Sequence, residues 1–486
     1  MTGRTFTGVR VGLFGTVVAM LAVLAGCAVG PSYQPPATVP GAQAPLVSVS
    51  PAAETPAEPP DDWWRLYRDP MLDQLLQDAF AANDDLKIAQ ANLSAARSVL
   101  EAAKAGRYPR TTLEAGGVYG RDPATEEILE IGGHRPENLW IFDDLLDVSY
   151  EIDLFGHVRR SIEASRADAE ATAAARDSVK ITVAAETTRA YAQICTLGQQ
   201  IAVARHSLDV VSHQADITVH SHDAGASSEF DVVRAQGLAA QVRAGIPPLE
   251  GQRRAALFQL TELLGRTPSN APTAVEVCVT PPRLSALIPV GDGAALLKRR
   301  PDVRQADRRL AAATARIGVA TSELYPRISL TGFYGGVSSR LEDLTTNQAL
   351  AWGVGPAISW SFPNQAGPRA RVRQAKANES AALASFDAVV LRALKETEQS
   401  LATYSAELDR RQALAEAQDK AHRAFDLAQN QLTDGAITYL ELLTTEQSLV
   451  AADAAVAASD AALVQDQIAV FKALGGGWRV SAQAQP

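Results

Sequence analysis

The chain has 486 residues, of which 47% are hydrophobic and 21% are charged, and its formal net charge is −10. This composition excludes a disordered polyelectrolyte, and an acidic chain without a basic stripe is not expected to bind nucleic acid. Three cysteines cannot build a disulfide scaffold, and seven scattered histidines leave little room for a metal enzyme.

The first residues have the features of a bacterial secretion signal. Two arginines precede an apolar stretch, 11–25, that is too short to span a membrane comfortably. The stretch ends in the letters LAGC at 24–27, which is similar to the lipobox of bacterial lipoproteins. The similarity implies a signal peptide over 1–26 and acylation of Cys27. Ala28, where an aspartate would retain the protein at the plasma membrane, favours transfer to the outer membrane; an ordinary signal peptide with a chance cysteine is the alternative.

A proline-rich segment follows the signal. Residues 27–60 are predicted to form an extended tether rather than a folded unit. No later stretch reaches 18 uninterrupted apolar residues, so no helix is predicted to cross a bilayer. A chain that crosses a membrane without such a helix must do so as a closed β-barrel.

The rest of the chain contains an internal repeat of two similar units. Gly225 matches Gly435 at a distance of 210 residues, and other landmarks recur at 210 to 217 residues. In each copy, an alanine-rich helix is followed by two short strands, a very long helix, a glycine turn and a shorter helix. The predicted domains are a first copy over 61–266, an equatorial linker over 267–293, a second copy over 294–478 and a tail over 479–486.

Each copy contains two segments in which apolar and polar residues alternate. A period of two residues is typical of a strand with one apolar and one polar face, and the lengths suit a transmembrane β-strand. A half-buried soluble sheet has the same period and is the alternative. Pro356 predicts a bulge or break. The predicted strands lie at about 111–119, 145–154, 327–336 and 352–362.

Two very long helices are predicted at about 157–222 and 369–434, where the one helix-breaking residue is Gly198. About 66 residues span roughly 100 Å at 1.5 Å per residue, which is longer than a compact domain requires. Apolar residues recur at steps of three and four, which is typical of a coiled-coil seam. The seam residues are Ile194, Leu197, Ile201, Ala204, Leu208, Val211 and Ala215 in the first helix, and Leu414, Ala417, Ala421, Ala424 and Ala428 in the second.

The number of strands predicts an oligomer. Four strands leave two open sheet edges, whose unpaired peptide groups cannot be satisfied in lipid. The smallest bacterial barrels have about eight strands, so several chains are expected to share one barrel. The sequence itself does not fix how many chains take part.

Motifs along the mature chain resemble the bacterial outer-membrane efflux protein family, the TolC-like outer membrane factors. Within that family they resemble the lipoprotein branch of RND-type efflux systems. The order and spacing of the motifs are specific, and the resemblance runs from about residue 27 to 478. The motifs are CAVGPSY at 27–33, WW at 63–64, DP at 69–70, YEIDLFG at 150–156, RPDVR at 300–304 and KALGGGW at 472–478.

The resemblance implies a fold and a function. The fold is α+β: a homotrimer forms a 12-stranded outer-membrane β-barrel that continues into a 12-helix periplasmic α-barrel. The function is that of a passive exit duct in a tripartite efflux pump, with a periplasmic adaptor (membrane fusion protein) and an inner-membrane efflux transporter as partners. A type I protein-secretion duct and a soluble periplasmic coiled-coil scaffold or adaptor are the alternatives. The cargo and the cognate pump are not readable from the sequence.

The candidate site residues lie at the anchor, at the turns and in the strands. Cys27 is the lipidation site, and the turns at Gly225 and Gly435 should form the periplasmic tip. Glu151 and Asp153 are expected to line the barrel lumen. Charged residues near the turns are candidates for a gate or an adaptor contact, with ordinary solvated charges or helix caps as the alternative: Asp223, Glu229, Asp231, Arg234, Asp434 and Glu441.

Several chemical functions find no support. No nucleophile–base pair or metal-ligand cluster is present, so neither an enzyme, a metal site nor a cofactor is expected. His206, His213 and His220 recur every seven residues, but about 10.5 Å along a helix separates neighbours, too far to share one ion. Cys195 and Cys278 are compatible with a disulfide in an oxidising periplasm and equally with free buried thiols.

Overall fold

A computed structural model describes residues 28–37, 39–50, 53–121, 138–284 and 286–476. The signal peptide, Cys27, most of the loop between the first two strands and the tail lie outside the described residues. The chain divides into two compact units, and each is described by itself. The first comprises Met1–Pro36, Ser94–Ala171 and Ala306–Ser385; the second comprises Ala37–Leu93, Thr172–Gln305 and Phe386–Pro486.

The first unit contains a four-stranded antiparallel sheet, whose strands are β2 Arg110–Gly120, β3 Leu139–Ile152, β5 Arg327–Ser338 and β6 Leu350–Ser359. They lie side by side in the order β2-β3-β5-β6. A strand is present at each of the four predicted positions, and β3 begins six residues before its predicted start. The pair β2 and β3 is joined to the pair β5 and β6 through the contact of β3 with β5.

The prediction of a bulge or break at Pro356 was wrong. Pro356 pairs with Leu330 in a register that runs without interruption from Gly336↔Leu350 to Arg327↔Ser359. In the described sheet β6 pairs on one side only, with β5. A proline whose missing amide hydrogen faces away from β5 removes no ladder hydrogen bond within the chain.

The described residues also form nine α-helices. The two long helices were predicted, and their observed lengths are 67 and 68 residues. Short two-residue strands, β1 Glu54–Thr55 and β4 Ile288–Pro289, pair in parallel in the second unit. The helices are α1 Pro70–Ala82, α2 Asp84–Ala105, α3 His157–Asp223, α4 Glu229–Ala244, α5 Ile246–Leu263, α6 Gly293–Arg299, α7 Pro301–Ser322, α8 Ala366–Thr433 and α9 Tyr439–Ala473.

The two predicted helix seams have different outcomes. Five of the seven seam residues of α3 are buried, and Ala204 and Leu208 are partly buried. In α8, Ala428 is buried and Leu414 and Ala421 are partly buried, but Ala417 and Ala424 are exposed in the single chain. The second seam is therefore confirmed in part, because the interior side of α8 also carries polar residues, which a search for apolar heptads passes over.

The largest hydrophobic core of the second unit surrounds the middle of α3. Segments before α1 and after α5 pack on this part of the helix, as expected for a belt about halfway along it. Trp63 is fully buried and stacks on Phe471 with ring centroids 4.8 Å apart. Cys195 of α3 forms a disulfide with Cys278, which ties the segment that follows α5 to this core.

The proline-rich segment has almost no regular secondary structure, as predicted, but it is held to the protein at several points. Tyr33 donates a hydrogen bond to Asp307, and the guanidinium of Arg308 lies over the Tyr33 ring. Further along, the amides of Val47 and Ser48 donate hydrogen bonds of 2.8 and 2.9 Å to Glu398. The segment is therefore bound along much of its described length rather than free.

One described helix, α9, is long and apolar enough to cross a membrane by length and composition alone. Its apolar character comes largely from alanine, and Leu442, Leu443 and Leu449 pack against neighbouring helices of the same unit. The helix also places three buried carboxyl groups, Glu446, Asp453 and Asp460, along its length. These features are typical of a coiled-coil helix rather than of a membrane span.

Candidate functional site

The sheet of the first unit has one largely apolar face, on which Asp144 is the one charged residue. Register places Leu146 between Leu113 and Tyr334, and Tyr334 pairs in turn with Trp352. These side chains are exposed in the single chain, with 72% of Leu113 and 71% of Val354 accessible. The face consists of Leu113, Tyr119, Trp140, Phe142, Leu146, Val148, Tyr150, Ile152, Ile328, Leu330, Tyr334, Leu350, Trp352, Val354, Pro356 and Ile358.

The opposite face of the sheet is more polar, although it also carries Val118, Ile141, Leu145, Phe333 and Val337. It carries Asp147 opposite Thr112 and Glu151 opposite Ser329, and β6 contributes only glycine, alanine and serine to it. At the end of β3, the Glu151 carboxylate lies 3.4 Å from His157 Nδ1. Arg327 lies 3.0 Å from the other ring nitrogen of His157, so this edge of the polar face is charged.

Asp153 does not share this position with Glu151. The strand ends at Ile152, and the Asp153 carboxylate accepts hydrogen bonds from the amides of Val158 (3.0 Å) and Arg159 (2.8 Å). These amides belong to the first turn of α3, where backbone donors have no partner within the helix. The Asp153 carboxylate therefore caps the first turn of α3. Of the two residues proposed to line the barrel lumen, Glu151 remains the candidate.

The sheet ends in two open strands. Within the described residues, β2 pairs only with β3 and β6 pairs only with β5. Each outer strand thus presents a row of backbone groups that this chain does not pair. An unpaired outer strand presents backbone donors and acceptors to which a further strand can add.

Two glycine turns end the long helices in the same way. Gly225 and Gly435 have φ of 78° and 70°, which is the left-handed conformation that glycine adopts without a Cβ penalty. After each glycine, the amide of an alanine donates a 2.8 Å hydrogen bond back to the helix, from Ala226 to Ser221 and from Ala436 to Gln431. Both turns therefore have the Schellman geometry that terminates a helix.

The helices that leave these turns begin with capping boxes, which accounts for two of the gate candidates. The amide of Ser228 donates to Asp231 (3.2 Å), and the amide of Thr438 donates to Glu441 (2.7 Å). The Thr438 amide lowers the pKa of the exposed Glu441 carboxyl. Asp231 and Glu441 are thus helix caps at equivalent positions of the repeat.

The other gate candidates lie at the exposed ends of the turns. Asp223, Glu229 and Asp434 are exposed, and the Arg234 guanidinium lies 5.4 Å from the centroid of the Phe230 ring. Among the described residues, none of the six candidates forms an ion pair with another. A gate built from them would therefore need a second chain or a partner to supply the opposite charge.

The three histidines of α3 lie on its exposed side, as expected for a solvated face. Within the described part of the chain, no group of three or more histidine, cysteine, aspartate or glutamate side chains could hold a metal ion. The structure therefore draws attention to the sheet and the turns rather than to a reaction centre.

The contacts of Arg300, a buried arginine in the motif at 300–304, were not predicted from the sequence. Arg300 donates hydrogen bonds to both oxygens of Asp302 (3.0 and 2.7 Å), to Glu396 (2.9 Å) and to the carbonyl of Ala473 (2.7 Å). The motif at 300–304 drew notice as a pattern, but its partners on α8 and α9 are distant in sequence. A charged residue beside a proline at a helix start gave no signal of these contacts.

Comparison with known proteins agrees with this geometry. The profile of the family described as outer membrane efflux protein matches residues 75–266 and 294–476. The solvent efflux pump outer membrane protein SrpC of Pseudomonas putida is 30% identical over 478 residues, which cover 95% of this chain and 97% of that protein. The probable outer membrane lipoprotein SilC of Salmonella typhimurium is 28% identical over 480 residues, covering 95% and 98%.

Solved structures show the same fold. The outer-membrane channel OprN superimposes with a TM-score of 0.86 at 33% identity and covers 93% of this chain and 100% of its own. A membrane protein from Pseudomonas aeruginosa gives a TM-score of 0.81 at 26% identity, covering 92% and 100%. The relatives are named as channels and efflux-pump proteins rather than as enzymes. The chain therefore belongs to the outer membrane efflux protein family, and it is an outer-membrane channel protein.

Proposed function

We propose that this protein is the trimeric outer-membrane exit duct of a tripartite efflux pump. The observation that carries the proposal is the sheet of the first unit, which has one largely apolar face, one more polar face and two open edges. The two long helices, of 67 and 68 residues, are each about 100 Å long and can reach far beyond a membrane.

Closure of the sheet requires other copies of the chain. In lipid every backbone donor and acceptor must be paired, so only closed barrels and helices span a membrane. Joining the β6 edge of one copy to the β2 edge of the next removes both edges at once. Three copies give twelve strands, which is the barrel that the family resemblance implies, and twelve helical columns continue it into the periplasm.

The two faces of the sheet set the orientation of each strand in such a barrel. The apolar face, with Leu113, Leu330 and Val354, would contact lipid, and the polar face would line the lumen. Glu151 would then give the lumen negative charge near the end of the sheet. Trp140 and Trp352 fit the aromatic girdle that outer-membrane barrels carry at the lipid interface.

Acylation of Cys27 would hold the chain in the same membrane. The neighbouring Ala28 lies against Gly156, whose added Cβ would approach Ala28 Cβ to 2.8 Å. The amide of Val29 donates a 3.2 Å hydrogen bond to the Phe155 carbonyl. Both contacts lie just after the end of β3, so lipid chains on Cys27 would start at the level where the strands leave the membrane.

The opposite ends of the long helices would meet the periplasmic adaptor, which connects to an inner-membrane transporter. The exposed side chains at the turns, among them Phe230 and Leu440, are 66% and 43% accessible and occupy equivalent positions after the two glycines. Exposed apolar residues at matching places in a repeat suit a partner that docks against both turns. Ionic contacts across chains at Asp223 and Asp434 would keep the resting tip narrow.

The cargo is proposed to be small toxic organic compounds. Relatives named as solvent and toluene efflux pump proteins and as a pyoverdine export protein favour small molecules over the secreted protein of a type I system. The soluble scaffold hypothesis does not fit a member of an outer-membrane family. The protein itself would supply passage without chemistry, and the pump would supply the energy.

Two measurements on one strain test the proposal. Deletion of the gene should raise sensitivity to organic solvents and dyes, and the wild-type gene should restore resistance. The purified protein should form ion-conducting channels in planar bilayers. A gene encoding Val354→Lys serves as the negative comparison. It places a charge on the proposed lipid-facing side and should not restore resistance to the deletion strain. Complementation without any channel conductance would contradict the role as a duct.

A further inference from the structure

Helix α9 carries a polar residue at every seventh position on its buried side. Glu446, Asp453, Asp460 and Gln467 are 1%, 9%, 9% and 6% exposed. A step of seven residues keeps side chains on one line along a helix that packs in a coiled coil. Polar groups on such a line are costly unless each one finds a hydrogen-bond partner.

The antiparallel helix α8 supplies those partners at the same interval. Arg411 Nε donates to Asp460 (2.8 Å), and seven residues later Gln418 Nε2 donates to Asp453 (2.8 Å). His422 lies 3.0 Å from the same Asp453 oxygen. At the other end, Gln467 accepts a 3.4 Å hydrogen bond from Tyr67. We call this row of cross-helix contacts the polar ladder.

The polar ladder lacks a partner at its last position, Glu446, which lies nearest to the glycine turn. The next step of seven along α8 leads from Gln418 to Phe425, which has no polar atom to offer Glu446. Phe425 packs instead with Leu442 and Leu449, which lie one turn to either side of Glu446. Among the described residues, neither carboxylate oxygen of Glu446 has a hydrogen-bond partner.

The other helices around Glu446 do not replace the missing partner. Leu443 of α9 packs with Val211 of α3 and Leu238 of α4, so the surroundings on that side are apolar as well. Burial is the one cause that raises the pKa of the Glu446 carboxyl, from 4.5 to about 7. No charged group on α3, α4 or α8, as far as these helices are described, moves it.

The nearest titratable groups can be named element by element. On α9 itself, burial raises the pKa of Tyr439, and the Glu446 and Asp231 charges raise it further. Asp231 belongs to α4. From α3, the neutral side chains of Gln214 and Thr218 contact Tyr439 and lower its pKa. On α8, His422 is paired with Asp453, one step of the ladder away.

We propose that Glu446 makes the turn end of the α8–α9 pair responsive to protons. With a neutral carboxyl group the last rung stays packed against Phe425. With an ionised group the two helices separate locally, so that water reaches the carboxylate, while the paired rungs at Asp453 and Asp460 hold the rest of the coil together. For the channel, this rests on the proposed function and means easier opening of the tip at alkaline pH.

The direction of the pH effect follows from the different pKa values of the Glu446 carboxyl group in the packed and separated states. A carboxyl group whose pKa is raised in the packed state is neutral in both states below about pH 4.5, where it costs nothing. Between about 4.5 and 7 the separated state ionises first, so packing weakens as the pH rises. Raising the pH from 5.5 to 8.5 should favour local separation roughly thirtyfold if the separated carboxyl group has its ordinary pKa.

Hydrogen–deuterium exchange of the full-length protein in detergent tests this at both pH values, after correction for the intrinsic exchange rate. Peptides covering 423–450 should open roughly thirtyfold more readily at pH 8.5 than at 5.5. The variant Glu446→Gln should remove that difference. Glu416→Gln, the same change at an exposed position of α8, should keep it.

Three outcomes would overturn the proposal: no pH dependence in the wild type, a dependence that survives in Glu446→Gln, or one that Glu416→Gln also removes. Survival in Glu446→Gln would show that another group carries the dependence. If Glu446→Gln does not assemble, Glu446→Leu replaces it in the same experiment. The leucine side chain fills the space beside Phe425, so α8 and α9 should stay packed at both pH values. Exchange does not require conduction, so a protein that shows the dependence but no channels would contradict the proposed function alone.

Discussion

Gly198 is the one glycine in the 67 residues of α3, and the structure gives a specific reason for it. A Cβ at this position would lie 2.2 Å from the carbonyl oxygen of Cys278. The segment that carries Cys278 is fixed there by the disulfide to Cys195 and by a 2.9 Å hydrogen bond from Arg253 to the same carbonyl. A backbone oxygen restrained by both of these contacts cannot move aside at low cost.

We therefore predict that Gly198→Ala destabilises the protein, although alanine is the better helix former. Overpacking against a fixed backbone should cost about 1–3 kcal/mol of the free energy of unfolding. The control is Gly251→Ala in α5, where an added Cβ meets nothing within 4 Å. That change should be neutral or stabilise by up to about 1 kcal/mol. Thermal unfolding in detergent measures both, and equal shifts would show that the contact at Cys278 is unimportant.

The exposed aspartates at the ends of the long helices offer a second test at this scale. Asp223 and Asp434 lie at helix C-termini, where negative charge opposes the helix dipole, so replacing both by asparagine should not loosen the helices. If they narrow the tip through contacts between chains, Asp223→Asn with Asp434→Asn should raise single-channel conductance in planar bilayers.

The control for that pair uses exposed aspartates earlier on the same helices, Asp216→Asn with Asp426→Asn. These should change conductance less, because they lie two turns before the ends of the helices. Unchanged conductance in the Asp223 and Asp434 variant would remove both residues from the gate. It would leave their exposed position to be explained as ordinary solvation.

At the scale of elements, the sheet allows a test within a single strand. Val354 and Ala357 both lie in β6, but they project from opposite faces because their positions differ by an odd number, three. Val354→Lys would put a charge on the proposed lipid-facing side, at a cost of about 2–4 kcal/mol near the middle of the bilayer. Ala357→Lys would put the same charge in the lumen, where water solvates it.

We expect Val354→Lys to lower the amount of folded protein in outer-membrane fractions and Ala357→Lys to leave that amount close to wild type. Quantitative immunoblotting of membrane fractions measures this, with resistance to protease as the indicator of folding. Equal loss in both variants would argue against the assignment of the two faces. A loss confined to Ala357→Lys would reverse that assignment.

Local pattern was sufficient for the elements but not for their contacts. Alternation located β3 and β6, and the absence of glycine and proline located α3 and α8, because both signals lie within the segment itself. Pro356 was misread because its tolerance depends on β6 being an outer strand, which is a property of the sheet order. Tyr33 and Asp307 are 274 residues apart, so no local signal predicts their hydrogen bond.

The same limit applies to the candidate site. The glycine turns were found because the repeat marks them and because φ above zero favours glycine. The roles of Asp153, Asp231 and Glu441 as helix caps depend on where each helix begins, to within one or two residues. The polar ladder and the Cys195–Cys278 bond depend on how helices and loops meet, and in the sequence their residues resemble surface groups.

At the scale of the whole molecule, one physical constraint joins these observations. A sheet with an apolar outer face and two unpaired edges is not a finished structure in lipid, where an unpaired peptide group costs several kcal/mol. This chain contributes four strands, and the described residues contain no other strand that could pair with β2 or β6. The conduit is therefore expected only in an assembly of identical chains.

Native mass spectrometry of the protein released from membranes by mild detergent tests this claim most directly. We predict a species with three times the mass of the acylated, processed chain, with no monomer at micromolar concentration. A monomer that remains folded under these conditions, or recovery of the mature protein in the aqueous fraction without detergent, would contradict the account.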